Sequence, residues 1–359
     1  MKIIQVISVF SKGDAVCNNA ITIKKLLTSL GYDSEIYVEN EDYDITNASI
    51  DLKYISVLPE LDISDIIIYH LSTCVLSKDK LVDMKCRKVG IYHNVTPPEF
   101  FAECSFPLYM VCKRAVDEIK SLADTFDYCI ADSTFNRDNL IQLGYKCPID
   151  VIPILLNYDD FKKESNKSIL SNYNDGKTNI IFVGRVVPNK KQDDLISIFS
   201  CYKKNYDSSA RLFIIGSSDA YTERYKKQLE ELVKHNNVDD VIFTEKIPFD
   251  ELLAYYHLAD VFLCMSEHEG FCVPLVETMM FDIPIVAYNS SAIEETLGGS
   301  GILISKKEPL VIAGIINRLM NDQKLRAKVI HGQRQRLEEL SYDKLSKKLG
   351  NCLRSLIEK

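Results

Sequence analysis

Apolar positions in the first half of the chain fall into short runs separated by segments of helical period. The runs IIQVISVF, DSEIYVE, DIIIYHL, RKVGIYHNV, DYCIADS and DVIPILL are strand-sized, and patterns such as ITIKKLLTSLG between them repeat with the spacing of one helix face. Several runs are apolar on both faces, as expected of parallel strands covered by helices above and below. The polar stretch NYDDFKKESNKSILSNYNDGKT then interrupts, and the pattern restarts with NIIFVGR, ARLFIIGS, VIFTEKI, DVFLCMS, IPIVAYN and GILIS, again alternating with helical segments. Two doubly wound α/β domains are predicted, with the boundary at about 157 to 177. In such sheets ligands sit beyond the carboxyl ends of the strands.

Composition is consistent with that organisation. A chain of 359 residues suits two cores better than one, and 46% hydrophobic with 26% charged residues is the balance of a globular protein. The opening MKIIQVISVF lacks the apolar length and small-residue cleavage site of a signal peptide, and no window reaches the ~18 apolar residues of a membrane span. Eleven scattered cysteines without a C-x-x-C pair point to a reducing cytoplasm and away from zinc. A net charge of −8 disfavours a nucleic-acid partner. Neither G-x-G-x-x-G nor G-x-x-x-x-G-K-[ST] is present, which disfavours a nicotinamide enzyme and a P-loop NTPase.

The candidate chemistry lies at strand ends. In SEHEGFCVPLVETMM, Glu269 falls in the loop after a strand and Glu277 near the start of the next helix, where Pro274 fits the first turn. The two glutamates are expected to address different parts of one ligand. Between them the backbone N–H groups of roughly Phe271 to Leu275 would form an anion site, with Gly270 allowing close approach. The bland alternative is a dipole-compensating Glu277 and a solvated Glu269. After NIIFV come Gly184, Arg185, Lys190 and Lys191, a fork and compact charges suited to a diphosphate. Gly216 and Ser217 follow another strand. In the first half, His93 and Asn94 end the strand VGIY, His70 has a weaker claim of the same kind, and Gly13 and Asp14 form a loop after the first strand. His235, His257, His268 and His331 read as helical or surface residues.

Taken together, FVGRVVPNKKQDDLI, the segment ADVFLCMSEHEGFCVPLVETMMFDIPIVAYNSSAIEETLGGSGILI, and ADSTFNRDNLIQLGY with VIPILLNYDDF resemble the retaining glycosyltransferases of group 1, or family 4. The resemblance implies the GT-B fold: two Rossmann-like domains facing a central cleft, 1–157 binding the acceptor and 158–340 the nucleotide-sugar, with a terminal helix, 341–359. That helix either crosses back onto the first domain, the preferred reading, or contacts a membrane surface. By the same resemblance Glu269 contacts the donor sugar and Glu277 the nucleotide ribose. Gly270, Phe271, Cys272 and Val273 touch sugar hydroxyls and phosphate, Arg185 with Lys190 or Lys191 stabilises the diphosphate, and His93 lies near the reacting sugar. Gly13, Asp14, Gly184 and Gly216 complete the expected donor contacts.

The implied activity is metal-independent, Leloir-type retaining hexosyl transfer, from a UDP- or GDP-linked sugar as substrate, without a cofactor. The implied acceptor is a glycan or a lipid-linked molecule, in cell-surface polysaccharide or glycolipid assembly. The expected location is the cytoplasm, with peripheral contact at the inner face of the membrane left open. An epimerase or phosphorylase of the same fold, and a non-catalytic sugar-nucleotide-binding partner, remain as alternatives.

Overall fold

The computed structural model describes residues 1–40, 45, 50–73 and 77–357. The chain forms two compact units: Met1–Pro98, Met110–Asn157 and Leu340–Lys359 make the first, Glu99–Tyr109 and Tyr158–Glu339 the second. The short segment 99–109 thus groups with the second unit although it is flanked in sequence by the first.

The first unit is built on a parallel sheet of seven strands: β1 (Lys2–Ile7), β2 (Asp33–Val38), β3 (Lys53–Tyr54), β4 (Ile66–Leu71), β5 (Arg87–Tyr92), β6 (Tyr128–Ala131) and β7 (Ile149–Val151). Their spatial order is β3-β2-β1-β4-β5-β6-β7. The central strands are mostly apolar and buried because both faces are covered. β4 is buried along its whole length, His70 included. One face packs Ile3, Ile68, Ile91 and Ile130 against the helix Tyr342–Ile357, which contributes Leu345, Leu349 and Leu353. Lys348 Nζ on that helix donates to the Val151 carbonyl at 2.7 Å. The helix buries its apolar stripe within the first unit, and residues 358 and 359 lie outside the described part.

The second unit carries a parallel sheet of six strands: β8 (Asn179–Val183), β9 (Arg211–Ile215), β10 (Val241–Glu245), β11 (Val261–Cys264), β12 (Ile285–Tyr288) and β13 (Ile302–Ile304). Their order is β10-β9-β8-β11-β12-β13. Phe182, Phe199, Phe213 and Phe262 are fully buried in this unit, each contributing about 2 kcal/mol of hydrophobic burial.

Both units are α/β and Rossmann-like. In each, the strand order reverses once, between β1 and β4 and between β8 and β11, and loops leaving these neighbouring strands diverge to opposite faces. The crevice so formed is where a Rossmann-like sheet receives its ligand. All ten described cysteines are free thiols, six of them buried; Cys74 lies outside the described residues. Among the described residues no helix is long and apolar enough to cross a membrane.

Candidate active site

Beside the reversal point of the second sheet, the turns after β8 and β9 approach too closely for side chains. Gly184 N–H donates to the Ile215 carbonyl and Val186 N–H to the Ser217 carbonyl, both at 2.9 Å. A Cβ on Gly216 would stand 2.0 Å from the Gly184 carbonyl oxygen, and Gly216 has φ +150°, so only glycine fits there. The crossing delivers Arg185 to the surface, where its guanidinium meets Asp219 at 3.0 Å with 57% of the side chain exposed. An exposed pair of this kind is worth at most about 1 kcal/mol, so an incoming anion can take Arg185 from Asp219 at little cost.

Lys190 is held quite differently. It ends the 3-10 turn Pro188–Lys190, whose buried Asn189 zips the turn to the loop after β11. Asn189 Nδ2 donates to the His268 carbonyl at 3.1 Å, and Glu267 N–H donates to the Asn189 carbonyl at 2.8 Å. The zip carries Lys190 Nζ to both carboxylate oxygens of Glu269, at 2.5 and 2.6 Å. Burial by itself would lower the Lys190 ammonium, but the facing Glu269 outweighs it and holds the pKa above the ordinary lysine value. Lys191 turns away: its backbone is left-handed at φ 54°, and its Nζ pairs with Asp193 at 2.8 Å. Of the two lysines, then, Lys190 is the one joined to Glu269.

Glu269 is anchored from behind, its N–H donating to Ser291 Oγ at 2.8 Å, while Ser290 Oγ binds the Ser266 carbonyl at 2.6 Å. Phe271 is buried, and its carbonyl accepts from Thr296 Oγ1. Gly270 sits half-buried in the bend between Glu269 and Phe271. The helix Val273–Met280 begins at Val273, with Cys272 as its N-cap in the left-handed region at φ 70° and Pro274 in the first turn. The anion site is smaller than the sequence suggests: Pro274 has no N–H, and Leu275 N–H is already bonded to the Cys272 carbonyl at 3.1 Å. One donor atom from each of Cys264, Glu269 and Cys272 lies within 4.8 Å of the others, a cluster able to hold a metal ion. The Lys190 ammonium already occupies both oxygens of Glu269, so a metal would have to displace it.

Glu277, one turn into the same helix, has separate surroundings. The buried Tyr256 hydroxyl donates to Oε2 at 2.6 Å. Burial pushes the carboxyl up to about 7, against a smaller downward pull from that phenol.

In the first unit Gly13 has φ +85° with open space beside it, and Asp14 caps the helix Ala15–Ser29. Asp14 Oδ1 accepts from Val16 N–H at 3.0 Å and Cys17 N–H at 3.1 Å, so that oxygen is committed to the helix.

His93 belongs to a buried row across four neighbouring strands. Gln5 Nε2 donates to the Ala20 carbonyl at 3.1 Å, which turns Gln5 Oε1 toward His70 Nε2 at 3.0 Å. His70 Nε2 must then carry a proton, leaving Nδ1 to accept from His93 Nε2 at 2.9 Å. Burial holds the His70 pKa well below the ordinary histidine value, consistent with a neutral ring. His93 Nδ1 faces Asp132 Oδ2 at 2.7 Å, so one further proton resides on this pair. Burial raises the Asp132 carboxyl despite the opposing histidine. Both ring nitrogens of His93 are engaged and its side chain is 3% exposed. The ring is thus buried at the carboxyl end of β5, with its nitrogens held by His70 and Asp132.

The residues that sequence reasoning missed are Asn189, Tyr256, Ser291 and Asp132. Asp132 had a usable signal, an acid directly after the strand YCIA, next to the strand ending in His93. Tyr256 had none, because in ELLAYYHLA it reads as one more apolar helix position.

Residues 163–336, just under half of the chain, match the family model of the glycosyl transferases group 1. The second unit is a group 1 glycosyltransferase domain. Its Lys190–Glu269 pair and the Gly184–Gly216 crossing lie inside the matched segment. Among curated relatives, the capsular polysaccharide biosynthesis glycosyltransferase CapM of Staphylococcus aureus is 25% identical over 242 residues, 65% of this chain and 60% of the relative. The D-inositol 3-phosphate glycosyltransferase of Acidothermus cellulolyticus is 30% identical over 159 residues, 43% of this chain and 35% of the relative. The match thus spans less than two thirds of the length of these relatives.

Two solved structures extend the likeness beyond the glycosyltransferase domain. Anabaena Alr3699/HepE in complex with UDP and glucose superposes with a TM-score of 0.75 at 16% identity, covering 99% of this chain and 100% of that one. Sucrose-phosphate synthase from Thermosynechococcus elongatus gives a TM-score of 0.77 at 17% identity, covering 100% of both. At such identities the likeness establishes the fold, a pair of Rossmann-like domains of the GT-B class.

Proposed function

We propose that the protein is a retaining glycosyltransferase that moves a sugar from a nucleoside-diphosphate sugar to an acceptor hydroxyl. The observation that carries this reading is the Lys190–Glu269 pair, built across the reversal point of β8 and β11, together with Arg185 of the same β8 loop, which is held only in a weak, releasable pair. As the anomeric C–O bond breaks, negative charge grows on the leaving diphosphate. Arg185 and Lys190 are preorganised cations for that charge, a type of stabilisation worth several kcal/mol. Glu269, drawn toward Lys190, is placed to accept hydrogen bonds from sugar hydroxyls. The acceptor oxygen forms the new bond to the anomeric carbon, and its proton passes to the leaving phosphate oxygen on the same face, which retains configuration. Lys190 supplies the positive charge that a metal would otherwise provide.

UDP and GDP are the proposed carriers. A UDP-bound structure stands among the neighbours, and a Mycobacterium tuberculosis relative, 24% identical over 251 residues, is a GDP-mannose-dependent mannosyltransferase acting on a phosphatidylinositol monomannoside. The proposed acceptor is a glycan or lipid-linked glycan at the cytoplasmic face of a membrane, reached by peripheral contact. The test is a thermal-shift screen of UDP, GDP, ADP and their sugars, followed by transfer assays on the donor that binds. A ligand at 100 times its Kd stabilises the folded protein by about 2.7 kcal/mol. Arg185→Ala and Lys190→Ala should each lower kcat at least 100-fold; unchanged turnover in both would overturn the reading.

A further inference from the structure

Tyr256 sits on the helix Phe249–Leu258, its side chain buried and its ring stacked on Phe281 with centroids 5.0 Å apart and planes 14° from parallel. Phe281 is in turn wedged by His257 at 4.9 Å and Phe161 at 6.4 Å, both edge-on. The phenol therefore has one position, from which its hydroxyl donates to Glu277 Oε2 at 2.6 Å. The other carboxylate oxygen, Oε1, has no partner among the described residues and is not one of the buried unpaired atoms, so it reaches solvent. A glutamate with one oxygen clamped by a buried phenol and the other open is an aimed acceptor.

We propose that Tyr256 is a positioning residue for the donor: it favours the ionised form of Glu277 and orients it, with Oε1 presented to a hydroxyl of the nucleotide, so that donor affinity depends on the protonation of Glu277. The inference rests on the function proposed above. An ionised carboxylate is the stronger partner for a ligand hydroxyl, and a protonated one loses that charge assistance.

The surroundings leave this titration to the phenol and to burial. Burial raises the Glu277 carboxyl, and the Tyr256 hydroxyl is the one group pulling it back down. Several charges on the elements packed on the Val273–Met280 helix are paired elsewhere, while His257 on the helix of Tyr256 packs edge-on against Phe281. On the turn Tyr158–Lys162, Asp159 pairs with Lys162 and Asp160 with Lys163. On the helix Gln323–Glu339, Arg334 pairs with Asp282 and Arg336 with Glu339. On the helix Ile293–Leu297, Glu294 accepts from Asn289, and the Glu295 carbonyl accepts from Arg336.

Nucleotide affinity should be measured by calorimetry with UDP and with GDP from pH 5.5 to 9, on wild type, Tyr256→Phe and Glu277→Gln. Wild-type affinity is expected to rise with pH through about 7 and then level off. Removing the phenol raises the Glu277 pKa further, so Tyr256→Phe should bind at least 5-fold more weakly at pH 7 and return to within 2-fold of wild type by pH 9. Glu277→Gln should stay weak throughout, recording only the titration of the diphosphate itself. The side-chain carboxyl resonance of Glu277, followed by ¹³C NMR in unliganded wild type and Tyr256→Phe, supplies an independent midpoint should the variant bind poorly. A Tyr256→Phe deficit equal at every pH, an unmoved Glu277 midpoint, or a wild-type profile matching Glu277→Gln would overturn the inference while leaving nucleotide binding intact. Absence of binding by wild type at any pH would overturn the donor reading, and this inference with it.

Discussion

Replacing Lys190 by methionine separates what the Lys190–Glu269 pair does for the fold from what it does for catalysis. Glu269 is 7% exposed and Lys190 22%, and the two charges are in direct contact. At about 4 Å and an effective dielectric constant near 20, opposite charges attract by about 4 kcal/mol, comparable to the cost of taking them out of water. The intact pair therefore adds little net stability, but its half is expensive. Lys190→Met leaves a buried carboxylate without its cation and should cost about 3–5 kcal/mol. The double variant Lys190→Met/Glu269→Leu removes both charges and should recover most of that loss, while transfer stays abolished. The chain contains no tryptophan, so urea unfolding is best followed by far-UV circular dichroism, with turnover measured on the same preparations. A single-variant cost below about 1 kcal/mol, or a double variant no more stable than Lys190→Met, would refute the description of a buried, mutually dependent pair.

Three other substitutions test neighbouring steps. Gly216→Ala pushes a methyl into the Gly184 carbonyl, 2.0 Å from the built Cβ, and should cost at least about 3 kcal/mol, read as a lower urea midpoint, or abolish folding. Asp14→Ala removes the acceptor for two N–H groups at the start of the Ala15–Ser29 helix and should cost about 1 kcal/mol, with Asp14→Asn largely retaining stability in the same urea titration. The Glu277 carboxyl is raised to about 7 in the folded protein from 4.5, so the folded state binds the extra proton and stability should fall as pH rises between those values. Relative to Glu277→Gln, wild type should lose roughly 2–3 kcal/mol of unfolding free energy between pH 5 and pH 8; parallel pH curves for the two proteins would contradict the assignment.

The two Rossmann-like units were legible because their signals are local and repeated. Strand-sized runs apolar on both faces can only be parallel strands between helix layers, and a glycine or a charge directly after such a run marks a carboxyl end. That logic located Gly184, Arg185, Lys190, Gly216 and Glu269 after strand ends at or beside the point where the sheet reverses. It could not choose between Lys190 and Lys191. The choice depends on Lys191 adopting a left-handed backbone and on Asn189 zipping the turn to residues 267 and 268, contacts separated by about 79 positions in sequence. Nor could it find the excursion of Glu99–Tyr109 into the second unit, since short segments carry no periodicity of their own.

The two glutamates and His93 show a further limit. Residue type and strand-end position nominate a polar side chain but do not say what it faces. Glu269 and Glu277 come from one 15-residue motif, yet one is neutralised by a lysine and the other is clamped by a tyrosine and pushed toward neutrality by burial. Each partner comes from a different strand or helix, so the motif could not reveal either environment. His93 passed the same nomination as Glu269, and the structure turns it inward. Gln5, bonded to the Ala20 carbonyl, dictates the tautomer of His70, which dictates that of His93, which leaves one shared proton with Asp132. The motif's strand-end position could not show that both ring nitrogens would be met by side chains from two other strands.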